Sequence, residues 1–155
     1  MTASQRLAEL GIVLPVVATP VGSYVPAVAY GTVVRTSGQL PLEGGALRAK
    51  GLVGEGPGCV SLEDAAACAR IAALGALAAL AEVAGGVDAI GRIVRVVGYV
   101  ASEPGFTGQA AVLNGASALM TEVFGEAGRH VRSAVGVVSL PLGAPVEIEV
   151  EALLA

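Results

Sequence analysis

Apolar residues in this chain switch between two spacings, and the switches mark out its elements. From Ser61 onward Ile71, Leu74, Leu77 (or Ala78) and Ala81 recur three to four residues apart, the repeat of a helix with one apolar face. Ser61 suits the N-cap, Glu63 and Asp64 place carboxylates in the first turn where the helix dipole favours them, and Gly85-Gly86 supplies a stop. A second helical repeat runs through residues 106–124, with Leu113, Ala116, Met120 and Val123 (or Phe124) on one face and Gly125 ending it. Between the two, residues 90–101 are rich in valine and isoleucine and predict a long strand, broken by Pro104-Gly105. Residues 131–140 predict another strand, stopped by Pro141 and Gly143, and residues 145–153 the last. Ahead of the first helix, residues 27–30 and 32–37 flank Gly31 as a hairpin. Residues 7–14 suggest one helical turn, after which Pro15, Pro20 and Pro26 keep the chain extended. Residues 38–58 hold seven glycines and two prolines and read as a loop with one short strand near Leu47.

The order strand pair, helix, strand, helix, strand, strand predicts an α+β fold. We expect a single domain over residues 1–155, with residues 1–20 as an N-terminal extension. Its mixed sheet of five or six strands would carry two helices packed on one face, leaving the other for solvent or another subunit. The short Pro141-Leu142-Gly143 connection predicts that the last two strands pair antiparallel.

Composition narrows the function classes. Of the 155 residues, 54% are hydrophobic and 14% charged, against roughly 25% charged in an average domain, so disorder is excluded. Alanine, 29 residues, accounts for much of the apolar excess; the remainder predicts a second surface buried between subunits. A net charge of -4, a single lysine and no basic run argue against nucleic acid as partner. Residues 71–81 are the longest charge-free stretch of the alanine-rich region, short of the roughly 20 a bilayer span needs, so no membrane partner is expected. Cys59 and Cys68 lack a CxxC spacing, and the N-terminus has no apolar signal region; both fit a cytoplasmic, reduced protein. His130 is the only histidine, which excludes multi-histidine metal sites, and a Ser/His/Asp triad would have to use it without a GxSxG elbow.

The final strand holds the most chemistry. Val146, Ile148 and Val150 alternate with Glu147, Glu149 and Glu151, so period two puts the aliphatics on one face and the carboxylates on the other. Those carboxylates either face water or meet cations from elsewhere. Arg132 is either a surface arginine bridging to one of them or a guanidinium fork for a small carboxylate. Arg92 and Arg95 on the middle strand cannot both face one side, and one of them is a candidate partner for the glutamate row. Tyr24 reads as loop packing or a pocket wall, Asn114 as a solvent-facing or site residue. Cys68 reads as a small core residue, Cys59 as an exposed or half-buried thiol without a role and His130 as a surface or turn residue.

Gly22-Ser23-Tyr24, Ser37-Gly38-Gln39-Leu40-Pro41, Asn114, the stretch Arg132 to Val137 and Val146-Glu147-Ile148-Glu149 together resemble the RidA (YjgF) family. Arg132-Ser133-Ala134-Val135-Gly136-Val137 followed by Leu140-Pro141 looks like its signature, and Ser37-Gly38-Gln39-Leu40-Pro41 like its early SGQ-[IL]-P motif. Gly22-Ser23-Tyr24 is similar to its G-x-Y element, Asn114 stands where members often carry asparagine, and Val146-Glu147-Ile148-Glu149 resembles its closing strand. The pieces run in family order, and the opening and the Asn-Gly-Ala-Ser segment resemble a divergent branch. The resemblance implies a chorismate-mutase-like fold, a homotrimer with sites in clefts between subunits, no cofactor, and hydrolysis of reactive enamines and imines to 2-oxo acids and ammonia. It implies that Arg132 holds the substrate carboxylate, Glu147 positions or activates water, and Tyr24, Gly38 and Asn114 shape the pocket. The family signature often has glutamate where this chain has Gly136, a departure that bears on the activity and leaves the fold expectation intact. The same cleft without catalysis would make a binder or sensor of small carboxylates.

Overall fold

The computed structural model describes all of residues 1–155. Its main sheet has five strands in the order β1-β2-β7-β5-β6, and a two-stranded ribbon, β3-β4, stands apart. The strands are β1 (Ala27–Tyr30), β2 (Val33–Thr36), β3 (Leu42–Glu43), β4 (Ala46–Leu47), β5 (Ile90–Ala101), β6 (Val131–Val137) and β7 (Val146–Leu154). The helices are α1 (Ala3–Glu9), α2 (Leu62–Ala84) and α3 (Gln109–Phe124). The expected α+β, chorismate-mutase-like layering is present, with α2 against β7 and α3 against β5 on one side of the sheet.

The ends of α2 follow from local chemistry. The Ser61 side chain accepts from the Asp64 N–H at 3.1 Å, and Gly85 closes the helix in the left-handed region at φ 86. Its buried face differs in part from the expected one. Ile71 and Leu74 are half-buried, whereas Ala65, Cys68, Ala69, Ala72, Ala73 and Ala76 are fully buried. Leu77, Ala78 and Ala81 of the expected face are buried as expected, and the small residues join them because α2 and α3 approach closely. A Cβ on Gly115 of α3 would fall on the Ala66 carbonyl of α2. By length and apolar composition α2 could cross a membrane, but it packs against the sheet and α3 as the core helix.

Two other expectations are corrected. The opening is a two-turn helix that starts earlier than residue 7, because Thr2 and Gln5 form a capping box. Ser4 then ties α1 to the body, its N–H and hydroxyl donating to Asp88 at 2.8 and 2.6 Å. The last two strands do not pair with each other. β5 lies between them, antiparallel to β7 and parallel to β6. The connection arches over the end of β5, where Ser102 N–H donates to the Val137 carbonyl and Ala101 N–H to the Pro145 carbonyl. Leu142, at φ 60, makes the turn that brings the chain back.

Candidate functional site

The two sheet faces separate the candidate residues. Val146, Ile148 and Val150 lie under the helices, so Glu147, Glu149 and Glu151 line the open face as the alternation predicts. A cation does meet this row, and it comes from β2. Arg35, directly opposite Glu151, pairs with it, its Nε donating at 2.9 Å. Sequence spacing alone had no means of setting β2 beside β7. Arg92 and Arg95 stand opposite Leu153 and Glu151, both open-face positions, because a register irregularity between Ile93 and Arg95 resets the alternation. The expectation that they cannot share a face is therefore wrong.

Glu147 sits in a place that only glycine permits. Gln39 exchanges backbone hydrogen bonds with Ile148 at 2.8 and 3.0 Å, which lays Gly38 against Glu147. A Cβ at Gly38 would overlap the carboxylate. Burial, reinforced by the charge of neighbouring Glu149, holds the Glu147 carboxyl above the usual range. The Ser37 hydroxyl anchors this segment on the Val25 carbonyl at 2.6 Å. The adjoining strap carries Tyr24, half-exposed, whose hydroxyl has no hydrogen bond within the chain. Tyr24 and Ser37 line a shallow cleft of about 250 Å³ with Arg35 and Val28.

Arg132 belongs to the other face. It pairs with the buried Val96 and points onto α3, away from the glutamates, which corrects the arrangement of Arg132 opposite their row. Its Nη1 donates to Asn114 Oδ1 at 2.9 Å and Ser117 Oγ at 3.2 Å, and its Nη2 to the Ala110 carbonyl at 3.2 Å. A guanidinium has five N–H groups, so the Nε–H and one Nη2–H remain without a partner in the chain. Two such donors are what a carboxylate accepts. Asn114 is therefore a holder of the arginine. Ser117, one turn further along α3, is a second holder of the arginine that sequence reading missed, although the i, i+3 spacing from Asn114 places it on the same helix face.

Within one chain these two groups cannot act on one small molecule. Arg132 is level with Val96 and Glu147 with Tyr99, across two interstrand gaps. Their Cα positions are about 14 Å apart, with side chains on opposite faces. The chain thus carries two candidate half-sites, the Arg132 guanidinium on its helix face and the Glu147 carboxyl on its open face.

The remaining candidates are structural. Cys68 is fully buried in α2, and Cys59 donates to Glu103 Oε2 at 3.3 Å. That hydrogen bond is the main cause holding the Cys59 thiol above its usual range, while the Gly56 N–H and Cys59 hold Glu103 below its own. Gly136 is exposed and lines an open cleft of about 530 Å³ with Ser102, Phe106, Gln109 and Val138. A Cβ there would lie 2.9 Å from Gln109 Nε2, on the wall of that cleft. No three His, Cys, Asp or Glu side chains gather as a metal-holding group.

A layered α+β domain with an arginine fork and a desolvated glutamate on opposite faces is the class of protein defined so far. Comparison with known proteins is consistent with it. A model of the family described as YjgF/chorismate mutase-like, putative endoribonuclease matches residues 4–150. The chain is 40% identical over 147 residues to Protein TCP17 of Trypanosoma cruzi, covering 93% of this chain and 89% of that one. A crystal structure of the same endoribonuclease description from Shewanella oneidensis MR-1 superimposes with a TM-score of 0.93 at 33% identity, covering 99% of this chain and all of the other. E. coli TdcF with bound serine superimposes at 0.63 with 25% identity, over 88% and 91% of the two chains. This chain belongs to the RidA/YjgF family.

Proposed function

We propose that the chain hydrolyses reactive enamines and imines of small amino acids to 2-oxo acids and ammonia, in clefts between neighbouring subunits of a homotrimer. The observation that carries this reading is the division of Arg132 and Glu147 between opposite faces. A second copy is needed to bring a carboxylate-binding edge against a water-activating carboxylate. The serine bound by TdcF is a small amino acid carrying the carboxylate that Arg132 would take here.

The mechanism asks little of the protein. The unpartnered Nε–H and Nη2–H of Arg132 grip the substrate carboxylate, with Asn114 fixing the guanidinium from behind. The enamine tautomerises to the imine, whose carbon is electrophilic. Glu147 of the partner subunit takes a proton from water as the oxygen adds to that carbon. The carbinolamine then expels ammonia as the nitrogen gains a proton, leaving the 2-oxo acid. A carboxyl lifted by burial is a better base for water than an ordinary one. Tyr24 and Gly38 wall the pocket beside it. Orientation plus general-base help of about 10²–10⁴-fold is sufficient for so reactive a substrate.

The test is to generate 2-iminobutanoate or 2-aminoacrylate in situ and follow 2-oxo acid release. Acceleration over buffer that Arg132→Ala removes is the expected result; no acceleration with several precursors would sink the reading. One feature favours a second reading, a carboxylate-binding sensor without catalysis. Gly136 offers no carboxylate at the position where the signature it resembles often has glutamate, and the Gln109 amide stands beside it instead. Ligand-induced thermal shifts with small carboxylic acids, in a protein inert toward imines, would select it. A ribonuclease function, in keeping with the family's description, has no support in the charge of -4.

A further inference from the structure

Behind Arg132 lies a chain of hydrogen bonds that the proposed hydrolysis does not use. His130 Nδ1 is 2.6 Å from the Gly128 carbonyl, and His130 Nε2 is 3.0 Å from Ser117 Oγ. Ser117 Oγ in turn lies 3.2 Å from Arg132 Nη1. The donors can be assigned. A carbonyl only accepts, so Nδ1 carries the hydrogen. In the neutral ring Nε2 is then a lone pair, the Ser117 hydroxyl donates to it, and the serine oxygen presents lone pairs to Arg132. The far end is rigid, because Gly128 packs so tightly on Met120 that a Cβ there would overlap the Met120 carbonyl. Tautomer, serine rotor and guanidinium are thereby set in sequence from one backbone carbonyl.

We propose that Ser117 and His130 are positioning residues for the carboxylate-binding Arg132, and that the imidazole couples carboxylate binding to its own protonation. This rests on the reading of Arg132 as a carboxylate fork. When His130 gains a proton, Nε2–H points at Ser117 Oγ, and the serine hydrogen must turn away. The serine oxygen then accepts from both cations, and the imidazolium stands one hydroxyl from the guanidinium. An anion on Arg132 relieves the repulsion between them. The surrounding charges do not offer that relief. Arg129 adjoins His130 and pairs with Glu126 at 3.4 Å, and Arg92 of β5 reaches the Arg129 carbonyl at 3.5 Å. Glu122 of α3 is held by Arg70 of α2 at 2.6 Å, and no carboxylate pairs with His130. Carboxylate binding and His130 protonation must therefore favour each other, by the same factor in both directions.

His130 is the only histidine, so its ring protons give an unambiguous NMR titration in the unmodified protein. The probe is pyruvate, the simplest 2-oxo acid, which stays ionised throughout the range. Saturating pyruvate is expected to move the His130 midpoint upward. Calorimetry should show pyruvate binding about 3–10-fold tighter at pH 5.5 than at pH 8, a factor tied by linkage to the midpoint shift. His130→Gln should lose the imidazole part of this dependence and keep the part due to Glu147. Ser117→Ala should weaken binding several-fold at pH 8, and Ser117→Thr should restore it. A His130 midpoint unmoved by pyruvate, with binding still dependent on Arg132, overturns the coupling and leaves the carboxylate fork standing. If pyruvate binding is absent or indifferent to Arg132→Ala, both ideas fall.

Discussion

At the scale of single residues, Gly38 and Glu147 form one unit. Gly38 is not in the left-handed region, so its requirement is spatial: its missing side chain makes room for the carboxylate. Gly38→Ala should displace Glu147 and cut imine hydrolysis by about 10²-fold, the scale of a lost general base, while far-ultraviolet circular dichroism stays unchanged. Burial of Glu147 also predicts a trade between stability and function. A carboxyl whose folded-state value is raised contributes stability below its unfolded value, about 4.3 for glutamate, and loses it as pH rises through the folded value. Glu147→Gln should therefore melt higher than wild type at pH 7, the two converging below about pH 4. Thermal unfolding across pH checks this, and a variant that melts lower at pH 7 would show that burial exacts no penalty there. The identities of Arg132, Asn114, Gly38 and Glu147 were legible through motifs. Their partners were not. Ser117 shares a helix face with Asn114, yet its contact with Arg132, like those of Arg35 with Glu151 and Gln109 with Gly136, joins residues distant in sequence.

At the scale of elements, the boundaries written in local chemistry were readable. Ser61 caps α2, Gly85 ends it, and β5 occupies residues 90–101 as expected. Three features were hidden because each depends on a neighbouring element. The buried face of α2 was read only in part: Leu77 and Ala81 lie on it as expected, but Ile71 and Leu74 give way to small residues where α3 comes close. The place of β5 between β6 and β7 was misjudged because a short connection need not join adjacent strands when it can arch over a third. The shared face of Arg92 and Arg95 was missed because an irregularity in β5 breaks period two. The helix contact can be tested directly. Gly115→Val would push a side chain into the backbone at Ala66, which a flexible neighbour cannot relieve. It should cost about 1–3 kcal/mol or more in chemical denaturation, with Gly115→Ala nearer the lower end. An unchanged denaturation midpoint for both variants would mean that the helices stand further apart than described.

At the scale of the whole molecule, the apolar excess divides into two parts. One is spent inside the chain, where every buried residue of α2 except Leu77 and Leu80 is alanine or cysteine. The other remains outside: Val13, Val16 and Val138 are 88%, 96% and 89% exposed, and Val131 and Val135 stand exposed on the open face of β6. That surface fits the proposed subunit contact, and the half-sites give the contact a functional reading. In a closed ring each cleft would take Arg132 from one copy and Glu147 from the next. Arg132→Ala and Glu147→Gln homotrimers should each be inactive. Mixed trimers from equal coexpression should regain about one quarter of the wild-type rate, since a cleft is intact only when its arginine comes from one variant and its glutamate from the other. The alternative, a site complete within each chain, predicts no recovery at any mixing ratio. Rapid mixing of the two purified variants gives the kinetic control, because recovery should then rise only as fast as subunits exchange.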